Sequence, residues 1–224
     1  MGEVIVGLLP VMIGAALVPL YPIILLLLLQ SEGGLRKATA FIAGGVAVRL
    51  LQGVIFGFVF GRAAEAHPED GPEVIASTLL LVVSILLLVT AFKKWRKEED
   101  PDEPPPKWMT TITRLSAAKA LGAGALFVTI AFKQWVFTLT ALDVIAASGL
   151  GRSANIGLYL LYTLVTQTLV LIPLLAVAVA PRQAVKPLQA AQAWLERYNR
   201  PIVITVSLIF GLWFLYKGIT GLMG

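Results

Sequence analysis

The sequence predicts an all-α integral membrane protein: six transmembrane helices forming two inverted three-helix halves, plus a short interfacial helix. Three observations predict it. The 224 residues are 58% hydrophobic and 14% charged, with mean hydropathy +0.84, whereas a soluble domain is nearer half apolar and a quarter charged. The apolar excess falls into six runs, each long enough for a span of about 20 residues. Lys and Arg are segregated between alternate loops, as membrane topology demands.

The first run, Val4–Leu29, lacks a basic leader and continues past the 7–15 apolar residues of a cleaved signal. It is read as a retained span. It holds Pro10, Pro19 and Pro22. Proline removes a donor and clashes with the preceding turn, so Val18–Pro22 is expected to break the helix near mid-membrane. Pro19, Tyr21 and Pro22 are the candidate hinge. Carbonyls freed there can meet a cation or a substrate donor; a packing kink without ligand is the plainer alternative.

The second run, Ala38–Phe60, carries Arg49 at its centre with Gln52 three residues on, hence on one helix face. A central charge costs roughly 2.5–3.5 kcal/mol on insertion scales, so it faces a partner, a cavity or a ligand. Gly44 and Gly45 allow a neighbouring helix to come close, and the ladder Gly53, Gly57, Gly61 reads as packing. The third run is Val74–Phe92. Between these two, the loop 61–73 is acidic and holds the sole histidine, His67.

The stretch 93–119 begins KKWRKEEDPDEPPPKW. Its prolines cannot continue a helix, so it separates a first half, 1–92, from a second, 120–224. Three spans per half give the halves opposite orientations, the arithmetic of an inverted repeat. The fourth run, Ala120–Ala146, contains Ala131-Phe132-Lys133-Gln134-Trp135. Lys133 lies about 15 Å from either surface, too deep to reach it fully. Asp143 and Gln167, the latter in the fifth run Ile156–Ala180, are its candidate partners; ten residues of straight helix, about 15 Å, keep Asp143 from pairing directly. Arg49 and Lys133 together outweigh Asp143, so the core is net positive and suits a visiting anion, unless burial leaves Lys133 neutral. The sixth run is Ile202–Met223. Before it, residues 187–200 place Leu188, Ala191, Trp194, Leu195 and Tyr198 at helical spacing, which reads as an interfacial helix. Trp108–Leu115 is a weaker case of the same pattern.

Loops 30–37, 93–119 and 181–201 carry thirteen Lys and Arg, the opposite loops only Arg62 and Arg152. The first set is therefore expected in the cytoplasm and both termini outside, in a cytoplasmic (inner) membrane. This segregation accounts for the net charge of +5 without nucleic acid. With no cysteine and one histidine, neither a disulfide framework nor a His-based metal site is expected. No metal, phosphate-loop or nucleophile motif occurs, so no cofactor or enzymatic activity is expected.

Four segments carry a resemblance: GAALVPLYPIILLLL (14–28), PPKW (105–108), ALGAGALFVTIAFKQW (120–135) and RQAVKPLQAAQAWLERYN (182–199). In these the chain resembles the GAP (Sap; sulfolipid- or glycopeptidolipid-addressing) family of the LysE superfamily of exporters. The family's fourth span has a Pro-Lys-Asn type element. Phe132-Lys133-Gln134 stands there, keeping the lysine and lengthening the amide but losing the proline that would fix a break. The resemblance implies export or surface delivery of a lipid or small metabolite, with a lipid-biosynthesis partner.

The expected function is thus translocation of a lipid or other anionic amphiphile, bound by Arg49, Lys133, Gln134, Gln52, Gln167 and Asp143 beside the broken first helix. Membrane lipids are the surrounding partners, and glycines in the second and sixth spans leave room for a homodimer. The alternatives are an exporter of amino-acid-like metabolites and a non-transporting scaffold of a lipid-assembly complex.

Overall fold

The computed structural model describes residues 2–66, 71–96 and 107–223; of 60–66, 71–73, 75, 76, 79, 107, 132 and 133 only the backbone is described. The expectations placed on His67 and on the prolines of the linker lie outside the described residues. Ten α-helices make up the fold among the described residues, without a strand. They are α1 (Gly2–Ala16), α2 (Leu20–Leu29), α3 (Gly34–Ala66), α4 (Gly71–Arg96), α5 (Lys107–Thr113), α6 (Ala117–Ile130), α7 (Phe132–Ala146), α8 (Arg152–Thr166), α9 (Thr168–Val179) and α10 (Pro181–Met223).

Three of the expected spans are bent pairs. α1 and α2 meet at 55°, α6 and α7 at 68°, and α8 and α9 at 64°. Two single helices, α3 over Gly34–Val59 and α10, are long and apolar enough to cross a membrane; counting each bent pair as one span gives up to five. The third run of the sequence, Val74–Phe92, lies within α4, several of whose side chains are not described.

The exterior is apolar and the interior carries the polar groups. On α3, Leu51, Val54, Ile55 and Phe58 are exposed while Arg49 and Gln52 are buried. A water-soluble helix shows the reverse, so the surrounding medium is lipid and the chain is a membrane protein.

Each break has a local cause. Pro19 has no N–H to give the carbonyl one turn earlier, that of Ala15, and it stands as the cap of α2. Pro22 falls in the first turn of α2, where its missing donor costs nothing. At Ala131 the backbone leaves the helical region (ψ 76°), and its carbonyl takes the N–H groups of Gln134 and Trp135, at 2.8 and 3.3 Å. The Trp135 indole N–H then donates to the Thr129 carbonyl, 2.8 Å away. At Gln167, the hydroxyl of Thr166 donates to the Thr163 carbonyl at 2.9 Å. Loss of the proline at 132 therefore does not restore a straight fourth span. Side chains take the carbonyls that the breaks release.

Two apolar clusters divide at these breaks. One joins Leu8, Met12, Phe137, Leu158, Tyr162 and Phe214, from α1, α7, α8 and α10. The other joins Tyr21, Leu25, Phe41, Ala120, Val170 and Leu188, chiefly from α2, α3, α6 and α9. α3 and α6 pack backbone to backbone: a side chain at Gly124 would meet the Phe41 carbonyl, and one at Gly44 the Leu121 carbonyl. This is the close approach that small residues permit. Gly53 lies under the Tyr159 ring, and Gly211 and Gly218 lie under Leu88 and Leu81. Gly44, Gly53, Gly124, Gly211 and Gly218 are thus taken up by packing within the chain.

The separate interfacial helix is corrected. Residues 187–200 run without interruption into the last span as part of the 43-residue α10, through Pro187 and Pro201. The pattern seen in sequence persists on its surface: Leu188 is buried, and Trp194 and Tyr198 are exposed. Arg200 donates to the carbonyls of Lys94 and Trp95, at 3.1 and 2.9 Å, and so caps the last turn of α4. A cation there also meets the negative end of the helix dipole.

Candidate functional site

The three breaks converge on Arg49. Its guanidinium is carried by the middle of α3 and is only 2% exposed. Nη2 donates to Oε1 of Gln134 at 2.9 Å. The same amide donates through Nε2 to the Ala15 carbonyl at 3.1 Å, the group left open by Pro19. One side chain, Gln134, thereby ties the break of the first span to the break of the fourth and both to Arg49. The third break enters through Gln167, whose amide faces the Tyr21 hydroxyl.

Tyrosines complete the surround. The Tyr159 hydroxyl donates to the Arg49 carbonyl at 2.6 Å, locking α8 to α3. Tyr162, fully buried, shares a 3.3 Å hydrogen bond with Thr138. The hydroxyls of Tyr21, Tyr159 and Tyr162 all lie within electrostatic reach of the Arg49 charge.

Several polar atoms around Arg49 are unpaired. Nε and Nη1 of Arg49, the amide groups of Gln52 and Gln167 and the Tyr21 hydroxyl make no close hydrogen bond, although the Tyr162 hydroxyl faces Arg49 and the Gln167 amide faces Tyr21. A buried polar atom left without a partner costs about 1–3 kcal/mol, and more where it is charged. A guanidinium with unspent N–H groups in a dry, donor-rich setting is complementary to an anionic oxygen. Among the described residues no group of His, Asp or Glu side chains is arranged to hold a metal ion.

Of the residues picked out in sequence, the structure brings together Arg49, Gln134, Tyr21 and Gln167 around the break at Pro19. Gln52 lies on the same buried face of α3, one turn from Arg49. Pro22 acts through the geometry of α2. Asp143 is buried but lies nine residues beyond Gln134 along α7, about 13 Å by helical rise. Lys133 stands in the first turn of α7; its side chain is outside the described residues. The sequence reading missed the Ala15 carbonyl, Thr138, Tyr159, Tyr162 and Thr163. A signal was present for the last three: the polar positions 159, 162, 163, 166 and 167 repeat at helical spacing inside an apolar run.

No curated protein and no solved structure matches the chain. A family match does, over residues 8–220, to the family described as Sap, sulfolipid-1-addressing protein. That match spans nearly all of the sequence, including every break and every residue of the Arg49 cluster, and the chain belongs to the Sap, sulfolipid-1-addressing protein family.

Proposed function

We propose that the chain moves an anionic lipid across the membrane, holding its headgroup at Arg49 between two inverted three-helix halves. The carrying observation is the buried guanidinium with Nε and Nη1 unspent, set where three broken helices meet. A sulfate or comparable anionic headgroup offers the acceptors these donors lack. The family's description names a sulfolipid, which favours a lipid over an amino-acid-like metabolite. Gln134, Gln52, Gln167 and Tyr21 add neutral donors, and the hinge at Pro19 and Pro22 allows α1 and α2 to move about the site. No chemical step is assigned to the protein.

Helix packing supports the inverted repeat. Take the six segments in order as α1–α2, α3, α4, α6–α7, α8–α9 and α10. Exchanging the first three with the last three maps the packed pairs onto one another. The second segment packs on the fourth and the fifth on the first; the third packs on the fourth and the sixth on the first. Pairs α4–α10 and α3 with α8–α9 map onto themselves. One departure is α3, which is straight where its counterpart α8–α9 is broken.

The test is transfer in liposomes. Protein reconstituted with a fluorescent lipid bearing a sulfate head should move it between leaflets, and should leave the same lipid with an uncharged head in place. Arg49→Gln should abolish the difference. Equal transfer of both lipids would refute the headgroup role of Arg49. No transfer of either would favour the scaffold reading, in which the chain organises a lipid-assembly complex.

A further inference from the structure

α8 is an inside-out amphipathic helix. Ile156, Leu160 and Leu164 face outward, each at least half exposed. Tyr159, Tyr162, Thr163, Thr166 and Gln167 face inward and are buried, and Asn155 extends the row by one turn. Apolar helices pack well inside a membrane protein without such a row, and each polar group in it must find a partner. Several make no close hydrogen bond: Asn155 Oδ1, Thr163 Oγ1, which faces the Tyr159 hydroxyl, and both amide atoms of Gln167, which faces the Tyr21 hydroxyl.

From Asn155 to Gln167 the row covers twelve residues, about 18 Å. Half of a bilayer's hydrocarbon core is about 15 Å. The row therefore reaches from the break beside Arg49 to the membrane surface at which α8 begins. Nothing comparable continues past the break: α9, Thr168–Val179, is apolar apart from its first residue.

We propose that the inward face of α8 is the track along which a polar headgroup passes between Arg49 and the outer surface. This rests on the reading of Arg49 as the headgroup site and on the outward placement of Arg152. The track is shut in this structure, where Tyr162 meets Thr138 and Tyr159 holds the Arg49 carbonyl. Opening it requires those two tyrosines to swing aside, which exposes Thr163 and the Gln167 amide to the outside. The atoms without a close hydrogen bond are the contacts that a moving headgroup and its water would use in turn.

The absence of native cysteine makes the test clean. Single variants Asn155→Cys, Thr163→Cys, Leu160→Cys and Leu164→Cys, in the full chain in liposomes, are exposed to a charged, impermeant thiol reagent added from the side facing Arg152. Asn155→Cys and Thr163→Cys should react on the order of tenfold faster than the two lipid-facing variants, because only a hydrated thiol ionises readily. Sulfate-headed lipid should slow the reaction of Thr163→Cys. Thr163→Val, which removes at constant shape a hydroxyl that makes no close hydrogen bond, should keep the melting temperature while slowing transfer.

If Thr163→Cys is as inert as Leu164→Cys, or reacts only from the opposite side, the track is overturned. So too if Thr163→Val transfers lipid at the wild-type rate. These failures are separable from failure of the Arg49 site. If the sulfate-headed lipid still stabilises wild type but not Arg49→Gln, the site stands and only the route falls.

Discussion

Gln134 provides the sharpest discrimination between a structural and a ligand-binding Arg49. It accepts from Nη2 at 2.9 Å and donates to the Ala15 carbonyl at 3.1 Å. Gln134→Leu removes both bonds at nearly constant volume. It leaves a carbonyl and a further guanidinium N–H unsatisfied, costing about 1–3 kcal/mol for the first and more for the second, so roughly 3–6 kcal/mol together. Gln134→Glu also forfeits the Ala15 bond but places a carboxylate against the cation. At about 4 Å and an effective dielectric near 20, that attraction is worth roughly 4 kcal/mol, and it offsets a large part of the lost bond and of the cost of burying the carboxylate. The Glu variant should therefore melt above the Leu variant, which should fall below wild type by a margin on the order of 10 °C. Binding should rank differently. In the Leu variant the Arg49 charge is unspent, so a short-chain sulfate-headed amphiphile should restore much of the lost stability. In the Glu variant the charge is neutralised from within, and the amphiphile should shift the melting temperature little. Differential scanning fluorimetry of the two variants, with that amphiphile and with its uncharged analogue, reads all of this. A Glu variant stabilised by the sulfate head as strongly as wild type would refute the role given to Arg49.

Four further outcomes are expected. Gly124→Ala should destabilise by at least about 1–3 kcal/mol, since its Cβ would meet the Phe41 carbonyl and two backbones must part; Gly122→Ala, which faces open space, should be neutral or stabilising, and equal melting of the two would contradict the α3–α6 contact. Arg200→Ala should cost about 1–2 kcal/mol and speed hydrogen exchange in the last turn of α4, through loss of its bonds to Lys94 and Trp95; unchanged exchange there would refute the cap. Asp102→Cys should react with impermeant reagent only after the membrane is opened, as the Lys and Arg distribution requires; labelling of intact cells would reverse the proposed topology. Lys133→Ala should slow transfer of sulfate-headed lipid more than it lowers the melting temperature, and unimpaired transfer would remove Lys133 from the site.

Much of the helical order was legible because lipid imposes a simple rule: a span must be apolar and helical. Arg49 and Gln52 announced themselves as polar groups with no surface within reach, and both are buried. Gln134 and Gln167 were singled out as well, yet their roles were invisible, because each depends on a carbonyl released by a different part of the chain. The α8 row was legible in principle, but its threonines and tyrosines are too mildly polar to interrupt a hydropathy run. The interfacial helix was drawn over 187–200 and so ended just before Pro201, where the helix does not end. In the fold that proline is simply accommodated within α10, as membrane helices allow.

The breaks show why proline alone is a poor guide to where such a chain bends. Pro10, Pro173, Pro187 and Pro201 all lie inside unbroken helices, while the bends at Ala131 and Gln167 have no proline at the turning point. At each of the three bends a side chain takes a carbonyl. At Pro19 the open Ala15 carbonyl is taken by Gln134; at Ala131 the Thr129 carbonyl is taken by Trp135; at Gln167 the Thr163 carbonyl is taken by Thr166. In hydrocarbon an unpaired carbonyl is costly, so a bend is stable only where a side chain stands ready. That requirement concentrates polar groups at the bends, and Arg49, Gln134, Tyr21 and Gln167 come together there. The polar concentration is what makes room for a charged Arg49 there. A buried place for the Arg49 charge and a means of bending the helices around it thus arise from the same few residues, with Gln134 serving both.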